Sequence, residues 1–306
     1  MIVTALSVLK IITIRAIIII SKNSVRRLNM IYTKIQHAEQ FEDSCIEAYI
    51  HEPYSELQIN KRRAIIVCPG GGYTRLSERE GEPVALKYFA AGLNTFILRY
   101  SVQAKAENFA PLIEACLAIK YIREHAEELH VDPDYVFITG FSAGGHLAAW
   151  TGSMWHIPEV QAHLGGADPI ICKPTATLPC YPVISSLPGV RHDGSLQTLN
   201  GWKEGDEEGM ARFSVEKFVD EKTAPAFIWH TASDGCVPVT NSLLYAEALS
   251  KAKIPFELHI YPKGCHGLSL ANKETSVNNK AIEIPHIAKW IDMAIHWVLE
   301  CPFASK

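Results

Sequence analysis

An apolar run, Tyr135 to Thr139, and a run of small and apolar residues, Ala143 to Trp150, are separated only by Gly140-Phe141-Ser142. The first has the length and composition of a buried strand, the second those of a helix. With no room for a loop between them, the chain must turn abruptly at Ser142. Gly140 and Gly144, two residues to either side of the serine, permit that turn. Such a turn exposes the serine hydroxyl at the end of the strand, where the helix N-terminus favours negative charge developing close by. The feature demands a sheet whose strand ends face a site, and it makes Ser142 the candidate nucleophile.

The rest of the chain suits that demand. From Ile31 onward, short apolar strands alternate with amphipathic helices, the pattern of an α/β protein with a mostly parallel central sheet and helices on both faces. Strands are predicted at Ala64 to Cys68, Thr95 to Arg99, Leu178 to Ile184, Ala226 to His230 and Phe256 to Tyr261, and helices at Pro83 to Ala91, Thr240 to Lys251 and Ile287 to Leu299. Leu112, Cys116, Ile119 and Ile122 recur at helical spacing, on a helix expected to end near Val131-Asp132-Pro133, because proline removes a donor and disfavours helix before it. Pro188 to Lys222, richer in glycine and charge, reads as a loop or short-helix insertion near the site. A length of 306 residues suits one large domain of this kind. The expected division is an apolar N-terminal extension, 1–29, and a catalytic domain, 30–306.

Met1 to Ile20 is apolar enough to raise a membrane anchor or a signal peptide. Lys10 and Arg15 argue against an anchor, since each would cost about 2.5 to 3.5 kcal/mol at the centre of a spanning helix, and no charged n-region precedes the stretch and no small-residue cleavage site follows it, as a signal peptide would need. Met30, just before the strand-like Ile31 to Ile35, is a candidate natural start. The expected location is the cytoplasm, with anchoring through residues 1–20 as the alternative. A formal charge of −4, from 29 basic and 33 acidic residues, provides no electrostatic attraction to nucleic acid or an anionic membrane. The eight cysteines form no C-x-x-C pair and read as reduced core residues. The thirteen histidines show no H-x-x-x-H or H-E-x-x-H pattern, so neither a metal nor another cofactor is expected.

A serine hydroxyl needs a base to take its proton and a carboxylate to hold that base in the right tautomer. His266, in Gly264-Cys265-His266-Gly267-Leu268, lies just past the last predicted strand and is the candidate base. Asp234, after the strand Ala226 to His230, is the candidate acid; Asp193, Asp206 and Asp220 fall in the insertion and read as surface charges. The oxyanion is expected to meet the backbone N–H of Ala143 and donors from Gly71 and Gly72, in a glycine run that allows close backbone approach. Tyr73, beside that run, is a candidate substrate contact. His146 reads as a packed helix residue, His230 as a support for the acid loop, and Trp202 and Phe213 as aromatics able to stack on a sugar ring.

These segments resemble the carbohydrate acetyl esterase and feruloyl esterase-like group of the α/β-hydrolase superfamily, members of which are often called acetyl esterase or, mistakenly, endo-xylanase B. The resemblance rests on Cys68-Pro69-Gly70-Gly71-Gly72-Tyr73, Val131-Asp132-Pro133 before Gly140 to Ala148, His230 to Asp234 with Val237-Pro238, and Gly264 to Leu268. It spans Ile31 to Leu299. Pro69 stands where the hormone-sensitive-lipase group carries histidine, which favours the carbohydrate-esterase branch; Ser233 stands where many relatives carry a second aspartate, leaving Asp234 as the acid there. The resemblance implies an α/β-hydrolase fold and a serine carboxylesterase that cleaves short acyl, chiefly acetyl, esters of plant-type oligosaccharides or small molecules. A serine peptidase or acyl thioesterase of the same fold is the alternative within enzymes, and a non-catalytic binding module the alternative outside them.

Overall fold

The computed structural model describes residues 17–19, 25–27, 30–53, 56–203 and 205–303. Most of the apolar stretch considered as an anchor lies outside the described residues. Near its end, Ile17–Ile19 (β1) pairs antiparallel with Val25–Arg27 (β2), which lies beyond it. Among the described residues, no helix is long and apolar enough to cross a membrane.

The main sheet has eight strands: Met30–Ile35 (β3), Cys45–His51 (β4), Arg62–Cys68 (β5), Asn94–Arg99 (β6), Val131–Phe141 (β7), Thr177–Cys180 (β8), Ala226–Thr231 (β9) and Phe256–Tyr261 (β10). Its order is β10-β9-β8-β7-β5-β6-β4-β3. The pairs β3·β4 and β4·β6 are antiparallel and every other pair is parallel. The central strands bury both faces, as a sheet covered on both sides must. On β5, Ala64, Ile66 and Cys68 pack into one core and Ile65 and Val67 into the other, all fully buried. Each aliphatic side chain so enclosed contributes about 1.5–3 kcal/mol.

Helices Ala110–Glu124, Ala143–Met154 and Thr240–Lys251 supply Leu112, Leu147 and Leu249 to the first core. Helices Glu82–Ala90 and Trp290–Glu300 supply Tyr88 and Trp290 to the second.

Three expectations need correction. The helix Ala110–Glu124 stops short of Val131-Asp132-Pro133, which instead opens β7. Pro133 is accommodated there because β7 shifts register against β5 between Arg62 and Ala64, where no ladder donor is required. Strand β8 ends at Cys180 rather than running to Ile184, since Tyr181 has a φ of +37° and Pro182 follows. The predicted last helix opens with a 3-10 turn, Ile287–Lys289, before Trp290–Glu300.

His146 is fully buried on the helix behind Ser142 and links three segments. Its Nε2 is 2.8 Å from the Phe213 carbonyl, which can only accept, so Nε2 carries the proton; Nδ1 therefore accepts the Tyr73 hydroxyl at 2.7 Å. A second ring proton would leave the buried Tyr73 O–H without this acceptor. Burial lowers the His146 pKa from 6.5 to about 4, only partly opposed by the hydrogen bond to Phe213. The unfolded chain thus takes up a proton below about 6.5 that the folded chain refuses until about 4, and stability falls as pH drops through that window. In urea titrations His146→Gln is expected to be less stable at pH 7 but to show a shallower loss between pH 6.5 and 4, by up to about 1.4 kcal/mol per pH unit. An unchanged slope would refute the assignment.

Candidate active site

Ser142 sits between β7 and the helix Ala143–Met154 with φ 55° and ψ −115°, a conformation that costs a non-glycine residue free energy unless its surroundings hold it. Here they do. Ser142 N donates to Cys180 O at 3.0 Å, and Ser142 O accepts from His146 N at 2.9 Å and Val183 N at 3.2 Å. The turn also brings the helix against the end of β5. A methyl group on Gly144 would stand 2.1 Å from Cys68 O and 2.6 Å from Pro69 O, so glycine is required there.

The structure brings Ser142, His266 and Asp234 together. His266 Nε2 is 2.8 Å from Ser142 Oγ, and its Nδ1 is 2.7 Å from Asp234 Oδ2. A carboxylate only accepts, so Nδ1 carries the ring proton and Nε2 is left to accept from the serine hydroxyl. Asp234 Oδ1 accepts the backbone N–H groups of Cys236 at 2.9 Å and Val237 at 3.0 Å. His230 stands behind it, Nε2 at 3.4 Å from Asp234 Oδ2 and 3.0 Å from Val237 O, with Nδ1 2.8 Å from Ser242 Oγ. Burial alone would raise the Asp234 carboxyl. Hydrogen bonds from His230 and His266 outweigh burial and hold it well below the usual carboxylate range. The other aspartates serve local structure: Asp193 pairs with Arg191 at 2.6 Å, Asp206 accepts Gly209 N at 2.8 Å, and Asp220 accepts Lys222 N at 2.9 Å.

Gly71 and Gly72 line a cleft of about 760 Å³ together with Ser142 and His266. Gly71 has a φ of +131° and lies so close under the next turn that a methyl group would meet Arg75 O at 2.1 Å. Gly70 N, one residue earlier, is already bonded to Glu80 Oε2 at 3.0 Å, which leaves the amides of Gly71 and Gly72 as the candidates from this loop. Ala143 is the first residue of its helix, where the N–H has no intrahelical acceptor.

Tyr73 is not at the cleft. With φ +60° its ring turns inward, is fully buried, and packs edge-on to Tyr100 with its hydroxyl on His146. Phe213 is likewise core, packed against Trp150 and Phe109. Trp202 is 59% exposed but does not line the cleft. Cys236 and Cys265 are exposed beside Asp234 and His266, unlike the other six cysteines, which are buried.

Sequence reasoning missed Glu80 and Tyr181. Glu80 is buried and joins the glycine loop to the histidine loop: Tyr181 donates to Glu80 Oε1 at 2.8 Å, and Ser269 N donates to the Tyr181 hydroxyl at 2.8 Å. The Tyr181 ring meets the His266 ring edge-on, with centroids 5.2 Å apart. Arg79 adds a hydrogen bond to Gly267 O. No local pattern marks Glu80, because its two partners, Gly70 N and the Tyr181 hydroxyl, lie 10 and 101 residues away along the chain.

A mostly parallel sheet with helices on both faces, a serine at the β7-to-helix turn, and an acid and a histidine after the later strands define the α/β-hydrolase class. Residues 50–249 match the BD-FAE family, and the chain belongs to it. It is 38% identical over 218 residues to endo-1,4-beta-xylanase B of Butyrivibrio fibrisolvens, covering 70% of this chain and 34% of that protein. It is 32% identical over 210 residues to the acetylxylan esterase of Xylanibacter ruminicola, covering 67% and 41%. The chain thus spans roughly a third to two fifths of these curated relatives. The solved acetyl ester-xyloside bifunctional hydrolase from Caldicellulosiruptor lactoaceticus superposes with a TM-score of 0.74 at 34% identity, covering 89% of this chain and 97% of that one.

Glu80→Gln replaces the carboxylate oxygens that accept from Gly70 and Tyr181 by one oxygen and one donor, so at least one bond is lost. A hydrogen bond to a charged group contributes about 1.5–3 kcal/mol. The amides of Gly70 and Ser269 are therefore expected to exchange with solvent about tenfold faster or more in this variant. Equal protection in the two proteins would show that Glu80 does not hold the loops.

Proposed function

We propose that this protein is a serine carboxylesterase in which Ser142 is the nucleophile, His266 the general base and Asp234 the residue that orients His266. The observation that carries the reading is the continuous hydrogen-bond path from Ser142 Oγ through His266 to Asp234 Oδ2, opening on the cleft. As Ser142 Oγ attacks the ester carbonyl carbon, His266 Nε2 takes its proton. The ionised Asp234 stabilises the resulting imidazolium, and the N–H groups of Gly71, Gly72 and Ala143 face the oxyanion. Collapse breaks the bond to the alcohol, which leaves with the proton from His266. Water, deprotonated by the same histidine, then releases the acid and restores Ser142. All of these groups fall within 30–306, the proposed catalytic unit.

The proposed substrates are short acyl, chiefly acetyl, esters of carbohydrates. The cleft supports this choice: Thr74, Arg75, Ser77, Glu78 and Arg79 interrupt its wall with polar groups around Leu76, whereas a long-chain acyl group would call for a contiguous apolar one. The names of the acetylxylan esterase and the acetyl ester-xyloside hydrolase point the same way.

Ser142→Ala is expected to lower kcat on a p-nitrophenyl ester by up to about 10⁶-fold and Asp234→Asn by up to about 10⁴-fold, with both variants folded. Unchanged turnover in purified Ser142→Ala would rule out this nucleophile. Along a series of p-nitrophenyl esters, acetate should be cleaved fastest; a preference for eight-carbon or longer chains would exclude the short-acyl assignment.

A further inference from the structure

The insertion between Pro188 and Lys222 brings His192 to the cleft wall. His192 precedes the helix Asp193–Leu199, and its Nδ1 accepts Ser195 N–H at 3.2 Å and lies 2.9 Å from Ser195 Oγ. A ring nitrogen that accepts a backbone N–H cannot itself hold a proton, so the neutral imidazole carries its proton on Nε2. Burial, above all, lowers the His192 pKa and favours that neutral form, and protonation of His266 would lower it further. Among the described residues, Nε2 has no hydrogen-bond partner. The ring edge stands next to the glycine loop on the cleft wall: a methyl group on Gly72 would be 3.9 Å from His192 Cε1. The structure thus holds an oriented, unused donor beside the reacting groups, fixed from behind by its own helix.

We propose that His192 is a specificity-determining residue whose Nε2–H donates to an oxygen on the alcohol portion of the ester. An acetyl group has no oxygen beyond the reacting carboxyl, so an acceptor for this donor must come from the alcohol. The device therefore selects esters of polyhydroxylated alcohols over esters of alcohols that are apolar outside the ester linkage. This inference rests on the esterase reading above.

Two variants separate the donor from the cap. His192→Asn keeps a side-chain acceptor for Ser195 N–H, asparagine being a good N-cap, but places no donor at the Nε2 position. His192→Gln carries an amide donor at about the reach of Nε2. The measurement is kcat/KM on an acetylated xylo-oligosaccharide divided by kcat/KM on phenyl acetate, whose alcohol offers no oxygen beyond the ester linkage. The ratio is expected to fall about five- to tenfold in His192→Asn, chiefly through KM, with the thermal midpoint maintained. His192→Gln should retain more of the ratio. An unchanged ratio in His192→Asn, or equal losses on both esters, overturns the proposal. Wild-type protein that cleaves phenyl acetate but not the oligosaccharide also overturns it while leaving the esterase reading intact; cleavage of neither ester sinks the esterase reading itself, and the proposal with it.

Discussion

Everything at the site depends on the close approach of one backbone to another at Gly144. The helix that begins at Ala143 packs so tightly onto the end of β5 that Cys68 O and Pro69 O occupy the space a side chain would need. That contact sets the angle at which β7 passes into the helix, and the angle holds Ser142 at a positive φ with its hydroxyl directed to His266. Within the turn the strain falls on Ser142 and is offset by the bonds from Ser142 N to Cys180 O and from Val183 N to Ser142 O, which tie the turn to the end of β8 and the segment after it.

The three groups that meet there come from loops after β7, β9 and β10, so their alignment is a problem of holding loops rather than strands. Two buried polar connections do this. In front, Glu80 binds the glycine loop through Gly70 N and the histidine loop through Tyr181 and Ser269. Behind, His146 binds Tyr73 at the end of the glycine loop and Phe213 in the insertion. Buried polar networks of this kind are costly unless every member is satisfied. Their members here are paired, which makes them rigid and explains why Tyr73 and Phe213 serve the core rather than the cleft. Aromatic contacts reinforce the same region: Tyr181 meets Trp229 at a right angle, and Trp229 stacks on Trp290, each such pair adding about 0.5–1.5 kcal/mol beyond simple burial.

The electrostatics follow from this packing. Asp234 is enclosed, which would favour its neutral form, yet two backbone amides and two histidines converge on it and keep it charged. An ionised carboxylate at Nδ1 fixes the tautomer of His266, and the tautomer decides that Nε2 faces Ser142 as an acceptor. At His192 the same reasoning runs from a backbone N–H instead of a carboxylate, with the opposite result: its free nitrogen is a donor.

The sequence by itself determined the strand-to-helix turn at Ser142 and the parallel core strands, and it singled out Ser142, Asp234 and His266, which the structure brings within hydrogen-bonding distance of one another. These are local signals: small residues around a turn, apolar runs of strand length, and a residue's place just after a strand. It did not reveal β4, whose Cys45–His51 mixes apolar residues with Glu47 and lacks the continuous apolar run of the central strands. It also led the Ala110–Glu124 helix too far, because the proline of Val131-Asp132-Pro133 marks the start of a bulged strand as readily as the end of a helix. Only the tertiary structure decided that Tyr73 turns inward, that Glu80 is a buried tie and that His192 reaches the cleft. The reason is distance along the chain: Tyr181 and Glu80 are 101 residues apart, Tyr73 and His146 are 73 apart, and no periodicity or turn motif records which distant segments the sheet will bring side by side.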